Sequence, residues 1–315
     1  MANRLTAAVV IPAWNSLEYL PACLESLSLQ QEEIELLVID NGSDDGTGAW
    51  LQQNGVPHIG LERNVGFAAA VNLGAGRTEA GAVLVLNADT VLERDCLGGL
   101  LRALDTGPEL GGVQPRIVQL GTDPPRLYSA GQCLSRDGRA FEAGAGKPVG
   151  TAPDTAREVF GVCGAACLLR RELFAELGGY QERYFAFYED VDLNLRARIA
   201  GWRFSYVPEA VVGHAGHAAW IAGFDRPRVQ NARLVARNRL ATQVKFMPAS
   251  TLPRIAAVET ASLARALAQR RFLATLGGKL AALRWLPWLL AERRRLRQTG
   301  DPALARRWLG SCGAR

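Results

Sequence analysis

The sequence predicts an α/β fold in which a mostly parallel sheet is flanked by helices, followed by a basic helical C-terminal extension. Two observations predict it. Continuous apolar runs alternate with helical periodicity in the first hundred residues, as in sheets buried on both faces. Residues 225–315 carry 19 Lys and Arg against 4 Asp and Glu, whereas residues 1–224 carry 17 against 27. We therefore predict two parts, 1–224 and 225–315, that meet different partners.

The first hundred residues alternate predicted strands and helices. Strands are predicted where the chain is continuously apolar, and helices where apolar residues recur every three or four positions. In chain order the elements are a strand at 7–11, a helix at 20–27, a strand at 34–39, a short helix, a weak strand at 58–61, a helix at 66–76 and a strand at 82–86. This order is typical of a parallel sheet with helices on both faces.

Beyond residue 105 the pattern changes. Residues 105–155 are irregular and rich in Gly and Pro, which predicts loops and short strands that cover a site. The elements predicted next are an apolar strand with small residues at 159–169, helices at 171–177 and 189–200, and short strands at 204–207 and 210–212. The sequence after 225 is helical in pattern, basic and rich in Leu and Ala.

The composition, with 48% apolar and 21% charged residues, is that of an ordinary globular protein. The N-terminal apolar run is broken by Pro12 and continues into a core strand, so we predict no signal peptide. No run reaches the ~18 uninterrupted apolar residues of a membrane-spanning helix. The six cysteines lack metal-type spacing, so we expect buried, reduced thiols and a cytoplasmic protein.

Polar residues follow three of the predicted strands, at the point where each strand ends. They occupy positions 12–15, 40–45 and 87–89. The carboxyl ends of parallel strands open on a shared crevice, which is where ligands bind in such sheets. The sequence therefore predicts a ligand site at this edge.

Three residues in this crevice have side chains suited to a nucleotide or a metal. Asp89 can hold Mg²⁺ or Mn²⁺ that bridges to diphosphate oxygens, although an Asp that caps a turn is the alternative. His214 follows another strand end, and a neutral imidazole would complete an oxygen-rich metal site; a single His is more often structural. Asp40 is either a turn residue or an acceptor for the N–H of a pyrimidine base.

An acidic cluster, Glu189, Asp190 and Asp192, opens a predicted helix. The structural interpretation is favourable placement of acids at the positive end of the helix dipole, worth about 0.3–1 kcal/mol each. The functional interpretation uses the same field, which keeps Asp190 ionised so that it acts as a general base. Holding three acids charged so close together has a cost, and such clusters are candidates for function.

Taken in order, these segments resemble the family 2 inverting glycosyltransferases, most closely the rhamnosyltransferase-like branch. The matching segments are 9–15, 38–47, 64–72, 86–90, 178–180, 185–192 and 206–214, and the resemblance covers about 7–245. Two positions depart from the branch. Ala88 stands where Pro is frequent, and Gln181 stands where Asp is usual, which puts one acceptor contact in doubt.

The resemblance implies a GT-A fold with a nucleotide-sugar half at about 1–105 and an acceptor half at about 106–224. It implies that Asp190 is the base, that Glu189 orients the acceptor or a loop, and that Asp89 and His214 bind Mg²⁺ or Mn²⁺ with the diphosphate. Asp192 and Gly164 are expected on the acceptor side. Donor contacts are expected from Pro12, Ala13, Asn15, Asp40, Asn41, Asn64, Phe67, Asn72, Asn87 and Ala88.

The implied reaction moves a sugar from a nucleoside diphosphate to an acceptor hydroxyl in cell-envelope polysaccharide biosynthesis. L-Rhamnose from dTDP-rhamnose is the first choice of donor, UDP-sugars come next, and the acceptor is a lipid-linked or cell-surface glycan precursor. One alternative is a sugar-1-phosphate nucleotidyltransferase, but residues 12–16 lack the Gly-rich basic loop that would hold a triphosphate. The other is a non-catalytic nucleotide-sugar-binding subunit, which would be free to lose Asp89 and Asp190.

The basic C-terminal part predicts peripheral association with the inner face of the cell membrane. Its apolar residues stand beside Arg293, Arg294 and Arg295 and lack spanning length, which is typical of a segment that lies on an anionic surface. Those apolar residues are Leu283, Trp285, Leu286, Trp288, Leu289 and Leu290. The alternative is a solvated helical face, and no recognition motif supports nucleic acid as the partner.

Overall fold

A mixed, mostly parallel sheet of ten strands runs through the centre of the protein. The computed structural model describes residues 6–215 and 225–311, with the backbone alone for 225–230. The strands of the structure are β1 Ala7–Ala13, β2 Ile34–Asp40, β3 His58–Gly60, β4 Ala82–Leu86, β5 Thr90–Leu92, β6 Leu110–Gln119, β7 Arg126–Ser129, β8 Gln132–Leu134, β9 Ala140–Glu142, β10 Arg157–Glu158, β11 Ala166–Arg170 and β12 Arg203–His214.

The sheet order is β10-β12-β6-β11-β4-β1-β2-β3, with β5 paired to β12 and β7 to β6. β4, β1, β2 and β3 are parallel, and β6 is parallel to β12. β11 lies antiparallel between β4 and β6 and joins these two parallel groups. A separate hairpin, β8 and β9, stands outside the sheet.

Helices cover both faces of the sheet and continue into the C-terminal part. They are α1 Leu20–Ser28, α2 Thr47–Gln53, α3 Phe67–Ala75, α4 Cys96–Leu104, α5 Arg171–Leu177, α6 Glu189–Ala200, α7 Asp225–Phe246, α8 Leu252–Ala268, α9 Phe272–Arg284, α10 Leu286–Thr299 and α11 Pro302–Arg306. Successive side chains of a strand point to opposite faces of the sheet. Val9 and Ile11 therefore pack with α1 and α4 on one face, while Val10 packs with α3, α5 and α6 on the other.

The predicted fold class is confirmed, and three predicted elements need correction. The apolar run 159–169 forms a strand only at 166–170, and its first part, which contains two glycines, turns toward the active site. The region 105–155, predicted as loops and short strands, contains the ten-residue strand β6 at the centre of the sheet. The two short strands at 204–207 and 210–212 are one strand, β12, with a register shift between Val207 and Val211.

The C-terminal helices pack directly on the catalytic part. Val191 and Ile199 of α6 share a buried apolar cluster with Phe246 of α7, Leu296 of α10 and Ala305 of α11. The predicted boundary at 224/225 lies at the edge of residues outside the described part, so the division into two parts stays a prediction. Within the described residues, no helix has both the length and the hydropathy to cross a membrane.

The apolar set predicted to face a membrane is only partly exposed. Leu289 is buried, and the Trp285 and Trp288 rings pack under the guanidinium groups of Arg237 and Arg183, at 4.5 and 5.0 Å. Cation–π contacts of this kind bind the two indoles to the protein itself. The exposed apolar residues of α9 and α10 are Leu273, Leu280, Leu283, Leu286 and Leu290.

The cysteine prediction holds for four of the six residues. Cys23, Cys96, Cys163 and Cys167 are free and buried. Cys133 is disulfide-bonded, which corrects the expectation of a reduced thiol at that position. Cys312 lies outside the described residues.

Candidate active site

The carboxyl ends of neighbouring parallel strands meet at one edge of the sheet. In the sheet register, Ala13 at the end of β1 lies beside Asp40 at the end of β2, and Asp40 lies beside Gly60 of β3. The Asn41 N–H donates to the Ala13 carbonyl at 2.7 Å, which fixes the two ends relative to each other. A crevice for a ligand therefore begins at these residues.

Asp40 is buried against the first turn of α2. Its Oδ1 accepts a hydrogen bond from the Ser43 N–H at 3.1 Å, and its Oδ2 lies only 2.4 Å from the position that a Cβ on Gly48 would occupy. Pro12 pairs with Ile39 next to it, and Ala13 is fully buried. Gly48 thus provides the space that Asp40 occupies at the base of the crevice.

Three asparagines predicted to contact the donor hold loops around the crevice. Asn15 Oδ1 accepts from the Asp44 N–H at 2.9 Å, and Asn64 Oδ1 accepts from the Gly66 N–H at 2.8 Å. Asn41 Oδ1 accepts from the Val65 N–H at 2.8 Å, while its amide donates to Asn64 and to the Gly66 carbonyl. These side chains fix the shape of the loops, so we infer an indirect contribution to donor binding.

The side chain of Asn72, predicted to contact the donor, instead forms hydrogen bonds with Tyr180 and Glu182. Its Oδ1 accepts from the Tyr180 N–H at 2.8 Å, and its Nδ2 donates to the Tyr180 carbonyl at 2.8 Å and to Glu182 at 3.0 Å. Both polar atoms are therefore engaged with the segment before Tyr184. We reassign Asn72 from donor contact to positioning of that segment, since α3 faces it across the site.

Asp89 and His214 lie together, although 125 residues separate them in the chain. His214 ends β12, which pairs with β5 directly after Asp89, and its Nε2 is 3.1 Å from Asp89 Oδ1. Asn87 Nδ2 is 3.5 Å from the same ring nitrogen. Ala88, which lies between Asn87 and Asp89 in the sequence, is buried. The Tyr128 ring meets the imidazole edge-on, with centroids 4.4 Å apart.

This pair fits a divalent cation. A carboxylate oxygen and an imidazole nitrogen suit Mn²⁺ and Mg²⁺, and both atoms are close enough to bind the same ion. The two side chains are 11% and 4% exposed, so a cation here would be shielded from bulk water and its field would be correspondingly stronger. His214 Nδ1 is buried without a hydrogen-bond partner among the described residues, and Nε2, the nitrogen that faces Asp89, is the one that could bind a cation.

Asp190 stands at the start of α6 with its carboxylate held by three donors. Oδ2 accepts from Gln132 Nε2 at 2.7 Å and from the Gly164 N–H at 3.1 Å, and Oδ1 accepts from the Val191 N–H at 2.7 Å. The Asn87 N–H donates to Ala165, the residue after Gly164, at 2.9 Å. One short segment therefore connects the carboxylate to the loop that carries Asp89.

Burial sets the ionisation of the acids at this helix start. It raises the pKa of Asp190, and the hydrogen bonds from Gly164, Val191 and Gln132 only partly offset the rise. Burial and the neighbouring Asp190 also raise the pKa of Glu189 well above its usual range. The expectation that the helix dipole keeps Asp190 ionised stays a prediction, since burial shifts the pKa of this carboxyl upward.

Gln132 and Glu142, both on the β8–β9 hairpin, belong to this site and were not predicted. Gln132 Nε2 donates to Asp190 and also to Glu142 Oε1 at 3.1 Å, and its orientation is fixed because Oε1 accepts from Asn194 at 2.9 Å. Ser129 donates to the other Glu142 oxygen at 2.5 Å. The hairpin lies in the irregular region 105–155. The sequence there shows only a Gln and a Glu beside a few apolar residues, which does not indicate a site.

Glu142 is a second carboxyl group beside the candidate base. Burial and the charge of Asp190 raise its pKa to about 7. Potential ligand atoms of Glu142, Cys163 and Asp190 lie within 4.8 Å of one another. Burial raises the pKa of the Cys163 thiol well above its usual range, and a protonated thiol is a poor metal ligand, so Asp89 with His214 is the better cation site.

The loop before Asp190 is strained and is held by α7. Phe185, Phe187 and Tyr188 have φ values of 67°, 68° and 69°, in the left-handed region that costs a non-glycine residue about 1–3 kcal/mol. Asn238 Nδ2 lies 2.7–2.9 Å from the carbonyls of Tyr184, Ala186 and Phe187. Helix α7 therefore fixes the loop that leads into Asp190.

Gly66 makes room for the same loop from the other side. A Cβ on Gly66, whose φ is +95°, would lie 2.6 Å from the Phe185 carbonyl oxygen. The Ala68 N–H donates to that oxygen at 3.2 Å, and Phe67 between them begins α3. Phe67 also lies near Gly164, at 3.7 Å from the position of a Cβ there. Phe67 and Gly164 thus line the space beside Asp190.

Asp192, which the sequence predicts on the acceptor side, is enclosed by charged side chains of the protein itself. Its side chain is 0% exposed and accepts from Arg196 Nε at 2.6 Å and from Lys245 Nζ at 2.7 Å. Burial alone would raise the pKa of Asp192, but Lys245 and Arg196 more than offset it and the pKa is lowered. Asp192 is a buried structural anion that connects α6 to α7.

A family model described as Glycosyl transferase family 2 matches residues 8–178. Among characterised proteins, the N-acetylglucosaminyl-diphospho-decaprenol L-rhamnosyltransferase of Mycobacterium tuberculosis is 34% identical over 243 residues, which are 69% of this chain and 78% of that protein. The residues matched by the family model include Asp40 and Asp89.

Two solved structures with the same fold contain a bound nucleotide or nucleotide-sugar. Staphylococcus aureus TarS 1-349 in complex with UDP-GlcNAc has a TM-score of 0.56 at 17% identity and covers 96% of this chain and 90% of that one. GalNAc-T7 with UDP, GalNAc and Mn²⁺ has a TM-score of 0.56 at 18% identity, covering 75% of this chain and 48% of that one. At these identities the likeness shows the fold.

Proposed function

The chain belongs to glycosyltransferase family 2, and from this membership we propose that it transfers L-rhamnose from dTDP-rhamnose to a hydroxyl group of a lipid-linked saccharide, with inversion at the anomeric carbon. The family resemblance seen in the sequence motifs is thereby confirmed, and the protein is a glycosyltransferase with a GT-A fold. The observation that carries the proposal is the connection of Asp190 to the Asp89–His214 pair through residues 164 and 165.

The proposed mechanism is a single in-line displacement. The acceptor oxygen attacks the anomeric carbon, the bond from that carbon to the diphosphate oxygen breaks, and Asp190 takes the acceptor proton. Asp89 and His214 would hold a divalent cation, which would supply charge stabilisation for the departing diphosphate. Because Gln132, Gly164 and Val191 fix the carboxylate, it needs little reorganisation when the proton arrives.

The donor and acceptor assignments rest on the mycobacterial relative, whose name specifies L-rhamnose and a diphospho-decaprenol-linked N-acetylglucosamine. UDP-sugars are the second choice, since the TarS complex contains UDP-GlcNAc. The test is transfer from a panel of nucleotide-sugars to a short-chain lipid diphosphate N-acetylglucosamine, with and without Mn²⁺. Transfer of another sugar in preference to rhamnose would overturn the donor assignment and leave the family unchanged.

We expect Asp89→Ala to abolish the gain in donor binding that Mn²⁺ or Mg²⁺ produces, because the variant loses the carboxylate ligand beside His214. The measurement is calorimetric titration of the nucleotide with and without cation, together with a thermal melt to show that the fold survives. Asp105→Ala is the matched control, since Asp105 is exposed at the end of α4. Full wild-type activity in excess EDTA would contradict the metal hypothesis.

A second prediction concerns the carboxyl group of Glu142. Its pKa of about 7 means that Glu142 is neutral below this pH and charged above it, so its charge strengthens Asp190 as a base only on the alkaline side. We expect the wild-type pH–rate profile to rise through an inflection near 7 that Glu142→Gln removes. Glu109→Gln is the control. Glu109 directly precedes β6 and forms an exposed pair with Arg203, so this variant should keep the inflection.

We also propose that the chain works as two parts, a catalytic part at 1–224 and a basic part at 225–315 that associates with the inner, cytoplasmic face of the cell membrane. The exposed leucines of α9 and α10 and the excess of arginine support this proposal. A lipid-linked acceptor presents its sugar at that surface. Sedimentation with anionic and neutral vesicles at low and high salt tests the association.

A further inference from the structure

A pocket of about 170 Å³ opens between α7, α8 and α9, and none of the active-site residues described above lines it. Its polar lining is dominated by arginine and by neutral hydrogen-bonding groups. These residues are Arg239, Arg265, Arg271, Ser262, Gln269 and Thr275. The pocket therefore presents donors and positive charge on a face of the protein remote in sequence from the nucleotide site.

The positive charge around the pocket is not balanced by the protein. Arg239 donates to Glu259 at 2.7 Å, and the Lys279 ammonium contacts the same carboxylate oxygen, so one anion serves two cations. Arg265 and Arg271 add two more cations, and Arg239 Nε is buried without a hydrogen-bond partner among the described residues. Burial, and to a smaller extent the nearby Arg239, lower the pKa of Lys279 to about 8.

The first turn of α9 contributes to the same field. Arg271 directly precedes α9 and Thr275 lies in its first turn, where the helix dipole is positive. Helix N-termini combined with arginine side chains are suited to bind phosphate, which accepts several hydrogen bonds at once. A single phosphate group is compatible with the volume of the pocket.

Two of the most exposed leucines in the described part of the chain stand at the rim. Leu267 is 65% exposed and Leu273 is 81% exposed, and the pocket residues Gln269 and Arg271 lie between them in sequence. Leu280 follows Leu273 by two helical turns and is exposed on the same face of α9. An anion site bordered by outward-facing leucines fits a ligand that is charged at one end and apolar at the other.

We propose that this pocket binds the phosphate group of an anionic phospholipid while Leu267 and Leu273 enter the acyl region of the same leaflet. The inference rests on the proposed membrane association and adds the site and the lipid chemistry that would produce it. Charge complementarity with the arginines selects the phosphate, and the rim leucines select a lipid over a soluble anion. Docking in this way would orient α7, and with it the loop before Asp190, toward the membrane surface.

The experiment is co-flotation of the full chain with phosphatidylglycerol vesicles, with phosphatidylcholine vesicles as the neutral reference. We expect Arg265→Gln with Arg271→Gln to weaken binding about tenfold or more, since each interfacial arginine is worth ~1 kcal/mol. Arg294→Gln with Arg297→Gln removes the same charge from exposed positions of α10 and should weaken binding by no more than about threefold. Leu273→Ser should weaken it as well, and Leu252→Ser, about 20 Å or more along α8 from Leu267, should not.

Equal loss in the two double-arginine variants would overturn the proposal, since the attraction would then be diffuse. Equal binding to both vesicle types would overturn it too. With the wild-type chain alone, sodium diphosphate at constant ionic strength should compete with the vesicles, and failure to compete would count against a phosphate pocket. If the chain binds diphosphate in a way that Arg265→Gln with Arg271→Gln removes, and vesicles do not bind, the pocket serves a soluble anion and the lipid assignment is wrong. Transfer to a water-soluble acceptor, measured in parallel, reports separately on the proposed function.

Discussion

Asp190→Asn is expected to lower the transfer rate by about 10²–10⁴-fold, the usual contribution of a general base. Asn has almost the same shape, and its single oxygen can still accept from Gln132 and Gly164 if the amide NH₂ turns toward Val191. The Asn side chain cannot take the proton of the acceptor hydroxyl group. Donor affinity should change little, because the proposed nucleotide site is on the side of Asp40 and Asp89. The measurement is the single-turnover transfer rate beside a calorimetric titration of the donor.

Glu189→Gln is the matched control for the base. Gln has nearly the same shape as Glu, and Glu189 is expected to orient the acceptor or a loop and not to take the proton, so we expect a smaller loss than at Asp190. The assignment is wrong if Asp190→Asn transfers sugar at nearly the wild-type rate. It is also wrong if that variant loses donor affinity in proportion to its rate, since the residue would then act on the nucleotide.

Asp192→Asn is expected to lower the free energy of unfolding by about 3–5 kcal/mol at neutral pH, the cost of breaking a buried ion pair by removing one partner. Arg196 and the fully buried Lys245 would keep their charges and lose the anion that both contact. The measurement is chemical denaturation. Because the pKa of Asp192 is lowered, the stability that it contributes is present above the unfolded-state pKa and is lost as the pH falls through the folded-state pKa.

Glu292→Gln is the control for this second prediction. Glu292 lies 3.9 Å from the same Lys245 but is partly exposed and also pairs with the exposed Arg295. Exposed pairs are worth about 0–1 kcal/mol, so the variant should stay close to the wild type. A loss at Asp192 no larger than that at Glu292 would show that the buried cluster is not what connects α6 to α7.

Some residues of the candidate site have positions that the sequence predicts, and others have positions that only the tertiary structure shows. Asp40 and Asp89 directly follow apolar strands, and the parallel arrangement of those strands brings such ends together. The sequence therefore predicts their proximity. Gln132 and Glu142 reach Asp190 through a hairpin that pairs with no strand of the main sheet, so no local pattern indicates where their side chains go.

By itself the sequence determined the alternation of strands and helices, the crevice at the strand ends and the family motifs, because these depend on local periodicity and on residues a few positions apart. Only the tertiary structure decided which acids are exposed to a substrate. Asp190 and Asp192 are two residues apart on the first turn of α6, yet one meets Gly164 and the other is enclosed by Lys245 of α7. The physical reason is that desolvation and ion pairing depend on what packs against a helix, and those partners lie 26 and 53 residues away in the chain.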